Sequence, residues 1–493
     1  MKKVLYSMKK DVIAKRGKHI FSDLLYLYIL IIAGIVFLHI SVHDYVRGLY
    51  IDYLFFPALM FLGAVLERGT PLKQKVYLIP SLAMVAWFLL LQLRRVLVDE
   101  PVQNIGLFLF IYLFTFPLAS LLQDGDKKKA LKIFAGVYLL AASTMIADTA
   151  LLFADCVPSF FSRHIFWNGA RLQVFWHSNI AACFLMSGIV FSTIFYSTTK
   201  SRWIKLALSI LIAMMLGVMA LTNCRTAIIL TGGYLGAQIF FALIKRGKKW
   251  FVPGVLAVLA VTIAFFMGAK YLYQANEASL IEKYTQQTVE ATADTSKTEA
   301  PIQEFAELTD AVTTQVKVDL NSGETTLISQ SPQNTFKKDL VTLNSRTQIW
   351  KATYNAIREN PTILVWGLTD PGAYVSSYNS FTLGHLHNAW IECLATLGVA
   401  GFLIAMLFTL ITVWNCLIVL LMRNQDVWKR NVALLALCLM AASMLEPYLF
   451  VSTFEYHLID FLFFLCAGYL AHWQEEDNRR IFKAVSSKIR HLK

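Results

Sequence analysis

The sequence predicts an all-α polytopic membrane protein of about twelve transmembrane helices with one large extracytoplasmic loop. Three observations predict it. Hydrophobic residues are 57% of the 493 and charged residues only 16%, against roughly 25% charged in a soluble domain. So few charges cannot cover a soluble surface, which excludes a soluble enzyme, a disordered chain and a coiled coil. Next, apolar runs near the crossing length of about 20 residues recur along the chain. They fall at 21–42, 49–66, 76–93, 104–122, 131–154, 179–197, 203–221, 226–244, 250–269, 393–422, 429–450 and 457–473. Finally, the basic residues are asymmetric. With the N-terminus inside, 30 of the 45 Lys and Arg fall in inner segments, as the positive-inside rule requires. The net charge of +13 is therefore a topology signal, and its spread over every inner loop argues against a nucleic-acid surface.

The first run follows the basic stretch MKKVLYSMKKDVIAKRGKH without a small-residue cleavage site, so it reads as a retained helix. The runs divide the chain into an N-terminal transmembrane region at 1–269 and an extracytoplasmic loop at 270–388. A C-terminal transmembrane region follows at 389–474, then a basic cytoplasmic tail at 475–493. The expected placement is multi-pass in a membrane with both termini inside. Seven single cysteines, without CxxC or Cys/His clustering, point to neither a disulfide framework nor a metal site.

The loop has two parts. Residues 276–335 are polar and acidic and read as a peripheral, partly mobile insertion. Within it VKVDLNSGETTLI alternates around Asn321-Ser322-Gly323, the pattern of a short hairpin. Further on, NSRTQIWKATYNAIRENP reads as a helix capped by Asn344 or Ser345 and ended by Asn360-Pro361. Ile349, Trp350, Thr353, Ala356 and Ile357 give it one packed face. Arg346 opens it, where the helix dipole alone disfavours a cation but a bound anion would welcome one.

The short outer loops and outer helix ends carry Arg47, Arg94, Arg95, Arg163, Arg171 and Arg225, with no Lys before Lys270. Arginine presents a planar fork of donors suited to phosphate, although interfacial anchoring explains single examples equally well. Two acids interrupt apolar runs, Asp148 and Glu446. Glu446, before Pro447, either orients a site residue or pairs with a neighbouring helix.

Four stretches together resemble the O-antigen ligase and polymerase superfamily, which also includes teichuronic acid polymerase-like and protein O-oligosaccharyltransferase proteins. LTNCRTAIILTGGYLG resembles the family's SRTG segment, with Asn223-Cys224 in place of the usual Ser. NSRTQIWKATYNAIRENPTILVWGLTDPG resembles its R-x-x-x-W … P-x-x-G-x-G loop helix, with the second Gly displaced to Gly372. HLHNAWIECLATLGVAGFL resembles HNxxLxxLxxxGxxG, and ARLQVFWHSNIAACFL resembles GRLxGxFxxPNxxA with His177-Ser178 in place of the residue-Pro pair.

The resemblance implies a GT-C-type membrane glycosyltransferase. It would take a glycan from a polyprenyl-diphosphate donor, such as undecaprenyl diphosphate, on the outer leaflet. The acceptor would be a hydroxyl of a glycan, lipid or wall polymer, as in a surface polysaccharide polymerase or an O-antigen ligase. The residues carried over as catalytic are Arg225, Arg346 and His387, whereas His385 falls outside the HN pair. Arg171, Asn179, Asn388, Arg94 and Arg95 are the candidates to bind substrate.

The chemistry of the residues is consistent with this. Two arginines suit a departing diphosphate, and an unperturbed imidazole titrates near neutral pH, as a base for a hydroxyl must. Direct displacement inverts the anomeric centre. The relevant loops carry no DxD-like acidic pair, so the reaction is expected to need neither metal nor cofactor. A glycolipid flippase or transporter is the competing class. Its usual two related halves are hard to reconcile with nine spans, a long loop and three spans.

Overall fold

In the computed structural model the described residues are 75–100, 124–153, 165–168, 171–174, 178–295, 315–318, 325–328, 346–378, 385–421, 426–450 and 457–471. The expected spans 21–42, 49–66 and 104–122, the basic N-terminal stretch, the 475–493 tail, Arg47, Cys156 and Arg163 lie outside them. So do His177, the hairpin turn at 321–323 and the cap at 344–345.

Helices α1 (Lys75–Leu97) and α2 (Asp124–Phe153) precede a hairpin of β1 (Ile165–Asn168) and β2 (Arg171–Val174). Then come α3 (Ser178–Thr198), α4 (Arg202–Leu221), α5 (Arg225–Ile244) and α6 (Phe251–Thr295). A second hairpin, β3 (Gln315–Val318) and β4 (Thr325–Ile328), is followed by α7 (Arg346–Glu359), α8 (Ile363–Trp366) and α9 (Pro371–Ser376). The chain then forms α10 (Ala389–Leu421), α11 (Val427–Ala442) and α12 (His457–Ala471). Six helices are long and apolar enough to cross a membrane among the described residues. They are Phe134–Leu151 within α2, α3, α4, α5, Phe251–Ala275 within α6, and α10.

The centre of the bundle is α3. Its side chains from Ile180 to Val190 are almost wholly enclosed, and it packs against α2, α4, α5, α11 and α12. Lipid is as apolar as leucine, so burial alone does not drive such a helix inward; close packing does. Ala181, Ala182 and Ser187 let neighbours approach, and Tyr138 of α2 stacks on Phe184 at 4.1 Å. Buried hydroxyls bond back to their own helices, as Ser187 does to the Cys183 carbonyl at 3.0 Å. At the end of α5 remote from Arg225, Tyr234 and Gln238 each donate to the Asn431 side chain of α11 at 2.7 Å. That shared acceptor glues two helices.

The loop helix forms as the sequence predicts, with Ile349, Ala352, Thr353 and Ala356 buried. The β3–β4 hairpin pairs Val318 with Thr325 on either side of Asn321-Ser322-Gly323. Three features differ from the sequence reading. The expected span 250–269 runs on as α6 to Thr295, through the first part of the polar insertion. Glu, Gln, Ala and Lys in EASLIEKYTQQTVEATAD are good helix formers, so propensity carries the helix on beyond the apolar run. The β1–β2 hairpin lies where no strand was expected. The expected span 429–450 ends as a helix at Ala442, and the irregular stretch after it is buried at Ser443 and from Glu446 to Phe450, with Met444 exposed.

A kink in α10 docks the segment that carries α8. Gly398 has φ +67°, a conformation that frees nearby carbonyls from the helix ladder. The Ala395 carbonyl accepts from Leu368 N–H at 2.7 Å, and the Leu397 carbonyl accepts from Trp87 Nε1 of α1 at 2.7 Å. Gly367, also at φ +68°, sits so close that a Cβ there would lie 2.0 Å from the Thr396 carbonyl oxygen. A Cβ on Gly398 would lie 2.6 Å from the Val365 oxygen. The two motif glycines are therefore two sides of one contact. Gly367→Ala and Gly398→Ala are expected to lower the thermal midpoint of the purified protein and its activity together. Gly136→Ala, whose Cβ meets nothing within 4 Å, should leave both near the starting value. Thermal unfolding in detergent reads the difference.

Candidate active site

Four separate stretches meet at one end of the bundle. Helices α3, α5 and α10 begin there, while α11 ends there before the irregular segment. The order follows from chain alternation and from cross-links: Ala389 N–H donates to the Ser443 carbonyl at 2.9 Å, and Asn179 Nδ2 donates to Glu446 Oε1 at 2.7 Å.

Glu446 is the hub. Its side chain is 2% exposed and lies in the irregular stretch after α11. Arg346, the first residue of α7, donates from a terminal guanidinium nitrogen to Oε1, which also accepts from Asn179. His387 Nδ1 faces Oε2 at 3.3 Å. Against an ionised Glu446, which only accepts, a neutral His387 carries its proton on Nδ1 and keeps the Nε2 lone pair. The Arg346 side chain is 13% exposed, and its Nε is buried with no hydrogen-bond partner. An arginine has five N–H donors, so one held nitrogen leaves capacity for an anion.

Backbone geometry fixes His387. It is one of the few non-glycine residues at positive φ, +53°. Such strain persists only where the surroundings over-determine it. Asn388 supplies that constraint. Its Oδ1 accepts from the Trp390 and Ile391 N–H groups at 2.9 and 3.1 Å, capping α10, and its Nδ2 donates to the Met444 carbonyl at 2.8 Å. Further along, Phe450 N–H donates to Asp460 of α12 at 3.1 Å. Several backbone groups of the segment carrying Glu446 thus have partners in neighbouring elements, as buried irregular chain requires.

His385 differs from its neighbour. The rings lie 4.1 Å apart, and His385 Nδ1 accepts the His387 N–H at 3.2 Å. A neutral His385 then carries its proton on Nε2 and has no lone pair left for a hydroxyl proton. Among the described residues, His385, His387 and Glu446 bring one ligand atom each within 4.8 Å of one another, a group that could hold a metal ion. A cation there would compete with Arg346 for the same carboxylate.

The remaining candidates are spread around this end. Arg225 is the first residue of α5, behind the Cys224 cap position and Asn223 at φ +50°. Arg171 opens β2 with its backbone opposite Asn168, and β2 packs on α3, whose first turn carries Asn179. Arg94 and Arg95 end α1. Arg94 pairs with Glu100 at 2.8 Å and lies over Trp366. Arg95 is 1% exposed, and its two terminal nitrogens have no hydrogen-bond partner. The residue that ties the cluster together, Glu446, was marked in the sequence only as an acid in an apolar run. The Glu-Pro pair there was the available signal, because proline breaks a helix and an intramembrane carboxylate demands a partner.

A helical bundle with six helices apolar enough to cross a membrane among the described residues is that of a multi-pass membrane protein, and an arginine, a histidine and a shared buried carboxylate meet at one of its ends. Residues 210–406 match the family model described as O-antigen ligase, so this part of the chain is similar to that family. The matched segment contains Arg225, Arg346 and His387 and lies between Asn179 and Glu446. No curated protein matches the chain.

Proposed function

We propose that the protein moves a glycan from a polyprenyl-diphosphate donor, undecaprenyl diphosphate in bacteria, to an acceptor hydroxyl at the outer face of the cytoplasmic membrane. The observation that carries this reading is the cluster in which Glu446 holds both Arg346 and His387. An arginine suited to phosphate, held beside a histidine whose Nε2 can accept a proton, supports it.

The steps follow from the residues. His387 Nε2 takes the acceptor hydroxyl proton as the oxygen attacks the anomeric carbon. The new C–O bond forms opposite the breaking C–O bond to the diphosphate, so configuration inverts. Arg346 and Arg225 hold the charge that develops on the leaving diphosphate by charge-assisted hydrogen bonds. The proton then passes from His387 to water. Glu446 keeps Nδ1 protonated and stabilises the imidazolium formed in the step. Asn179 and Asn388 act through position: one on Glu446, the other on the backbone of His387. Arg171 and Arg94 bind substrate from the rim, whereas Arg95, enclosed at the end of α1, supports that wall from within. No step requires a metal. The acceptor is a second lipid-linked glycan in a polymerase, or a lipid core, protein or wall polymer in a ligase.

Cells lacking the protein are expected to accumulate its lipid-linked glycan. A wild-type copy should clear it, and an Arg346→Ala copy of equal abundance should not. Thin-layer or mass-spectrometric analysis of the lipid extract reads the outcome. An unchanged lipid-linked pool in the deletion would remove the donor assignment.

A further inference from the structure

We propose that the cavity between the end of α1 and the α7–α9 connection is a glycan subsite, taking a ring of an uncharged or amino-substituted sugar. It rests on the transferase reading above and adds a second contact with the oligosaccharide, remote from the bond that breaks.

The cavity has a volume of about 260 Å³, at the small end of ligand pockets, roughly 300–1,000 Å³. Arg94, Glu100, Asn360, Trp366, Asp370 and Tyr374 line it. This is the mixture a sugar needs. Aromatic rings receive the C–H face of a pyranose, and planar carboxylate, amide and guanidinium groups meet pairs of neighbouring hydroxyls. The groups are held in place. Arg94 bonds Glu100 at 2.8 Å and lies 5.5 Å from the Trp366 ring centre. Asn360 Nδ2 donates to Tyr374 Oη at 3.4 Å. Asp370 Oδ1 caps α9 by accepting from Ala373 N–H at 2.9 Å, which leaves its second oxygen as an acceptor.

Charge narrows the ligand. Arg94 and Glu100 cancel, and Asp370 leaves one negative charge on the wall. Such a site repels phosphate and uronate, so it is not a second diphosphate site. It accepts neutral rings and favours an amino group.

Position narrows it further. Arg346 starts α7 and Asn360 follows its end, and a 14-residue helix is about 20 Å long. A glycan reaching from the Arg346–His387 cluster to this cavity must span several rings, so the subsite reads an oligosaccharide. Both walls are fastened to α10, one through Leu368 N–H on the Ala395 carbonyl and the other through Trp87 on the Leu397 carbonyl. The helix that presents His387 at its start therefore also sets the remote contact. Binding energy gained so far from the reacting atoms acts chiefly on substrate capture.

The probe is the water-soluble oligosaccharide that mild acid releases from the lipid-linked precursor, titrated into the full-length protein in detergent. Wild type and His387→Ala should bind it equally. Asp370→Asn keeps the helix cap, because asparagine caps as well as aspartate, and removes the charge. Together with Tyr374→Phe it should weaken binding about tenfold. In turnover the pair should raise KM with kcat nearly unchanged. A rise confined to the lipid-linked donor assigns the cavity to the donor's glycan, and a rise confined to the acceptor assigns it to the acceptor's. Absence of binding to wild type, or equal binding and equal KM in wild type and the double variant, would overturn the subsite. Absence of transfer by the wild type in the same assay would instead overturn the transferase reading.

Discussion

His387→Ala should lose most turnover, by about 10²–10⁴-fold, while the lipid-linked donor still binds. The loss has a specific origin. Nδ1 is committed to Glu446, so Nε2 is the atom that can take a hydroxyl proton. The neighbouring histidine cannot replace it, because its Nδ1 already accepts the His387 N–H. His385→Ala should therefore cost far less. Glu446→Gln gives the sharper result. The amide that replaces the carboxylate can donate to Nδ1 and drive the proton to Nε2, the wrong tautomer for a base. Turnover should fall about as far as in His387→Ala, with the protein still folded. Initial rates with saturating donor and acceptor, alongside donor-binding titrations, separate the variants. Near-normal turnover in His387→Ala with loss in His385→Ala would move the base to the other histidine.

The ion pair between Arg346 and Glu446 predicts a second large effect, on stability as well as chemistry. Both side chains are nearly enclosed, at 13% and 2% exposed. Removing one partner strands the other charge, which typically costs about 3–5 kcal/mol. Arg346→Ala and Glu446→Ala should each lower the thermal midpoint and abolish transfer. The combined Arg346→Met, Glu446→Leu variant replaces both charges with apolar groups, so it should regain most stability yet stay inactive. Arg346→Lys keeps the charge and loses the planar fork. It should stay folded while transfer remains strongly impaired. Thermal unfolding and transfer rates on the same preparations distinguish a purely structural pair from one that also serves catalysis. In the structural case the double variant would recover activity with stability.

Much of this was legible in the sequence, for physical reasons that differ by element. The spans at α3, α4 and α5 stand out because a lipid environment demands about 20 apolar residues in a row. The loop helix α7 announces itself through its Asn-Pro stop and the spacing of Ile349, Thr353 and Ala356. Hydropathy could not see the end of α11. SMLEPYLF continues the apolar run apart from its Glu-Pro pair, and the partners of Asn388, Ala389 and Asp460 show where its backbone bonds instead. The same blindness hid the role of Glu446. Its importance lies in what it touches across the chain, from Asn179 to His387, and single-sequence patterns carry no information about such contacts. The docking of Gly367 on Gly398 was visible only as two glycines in separate motifs. Their shared cause, a kink that offers carbonyls to the loop, is a tertiary fact.

The most direct test of the central claim uses the purified protein in liposomes with a radiolabelled polyprenyl-diphosphate glycan, its acceptor and an excess of chelator. The arrangement of Arg346, Arg225 and His387 predicts transfer of label to the acceptor, release of polyprenyl diphosphate in equal amount, an inverted linkage and a rate unaffected by the chelator. Loss of transfer on chelation would contradict it and make His385, His387 and Glu446 the ligands of a required metal. Label left wholly on the donor, or moved across the bilayer with its diphosphate intact, would contradict the enzyme itself.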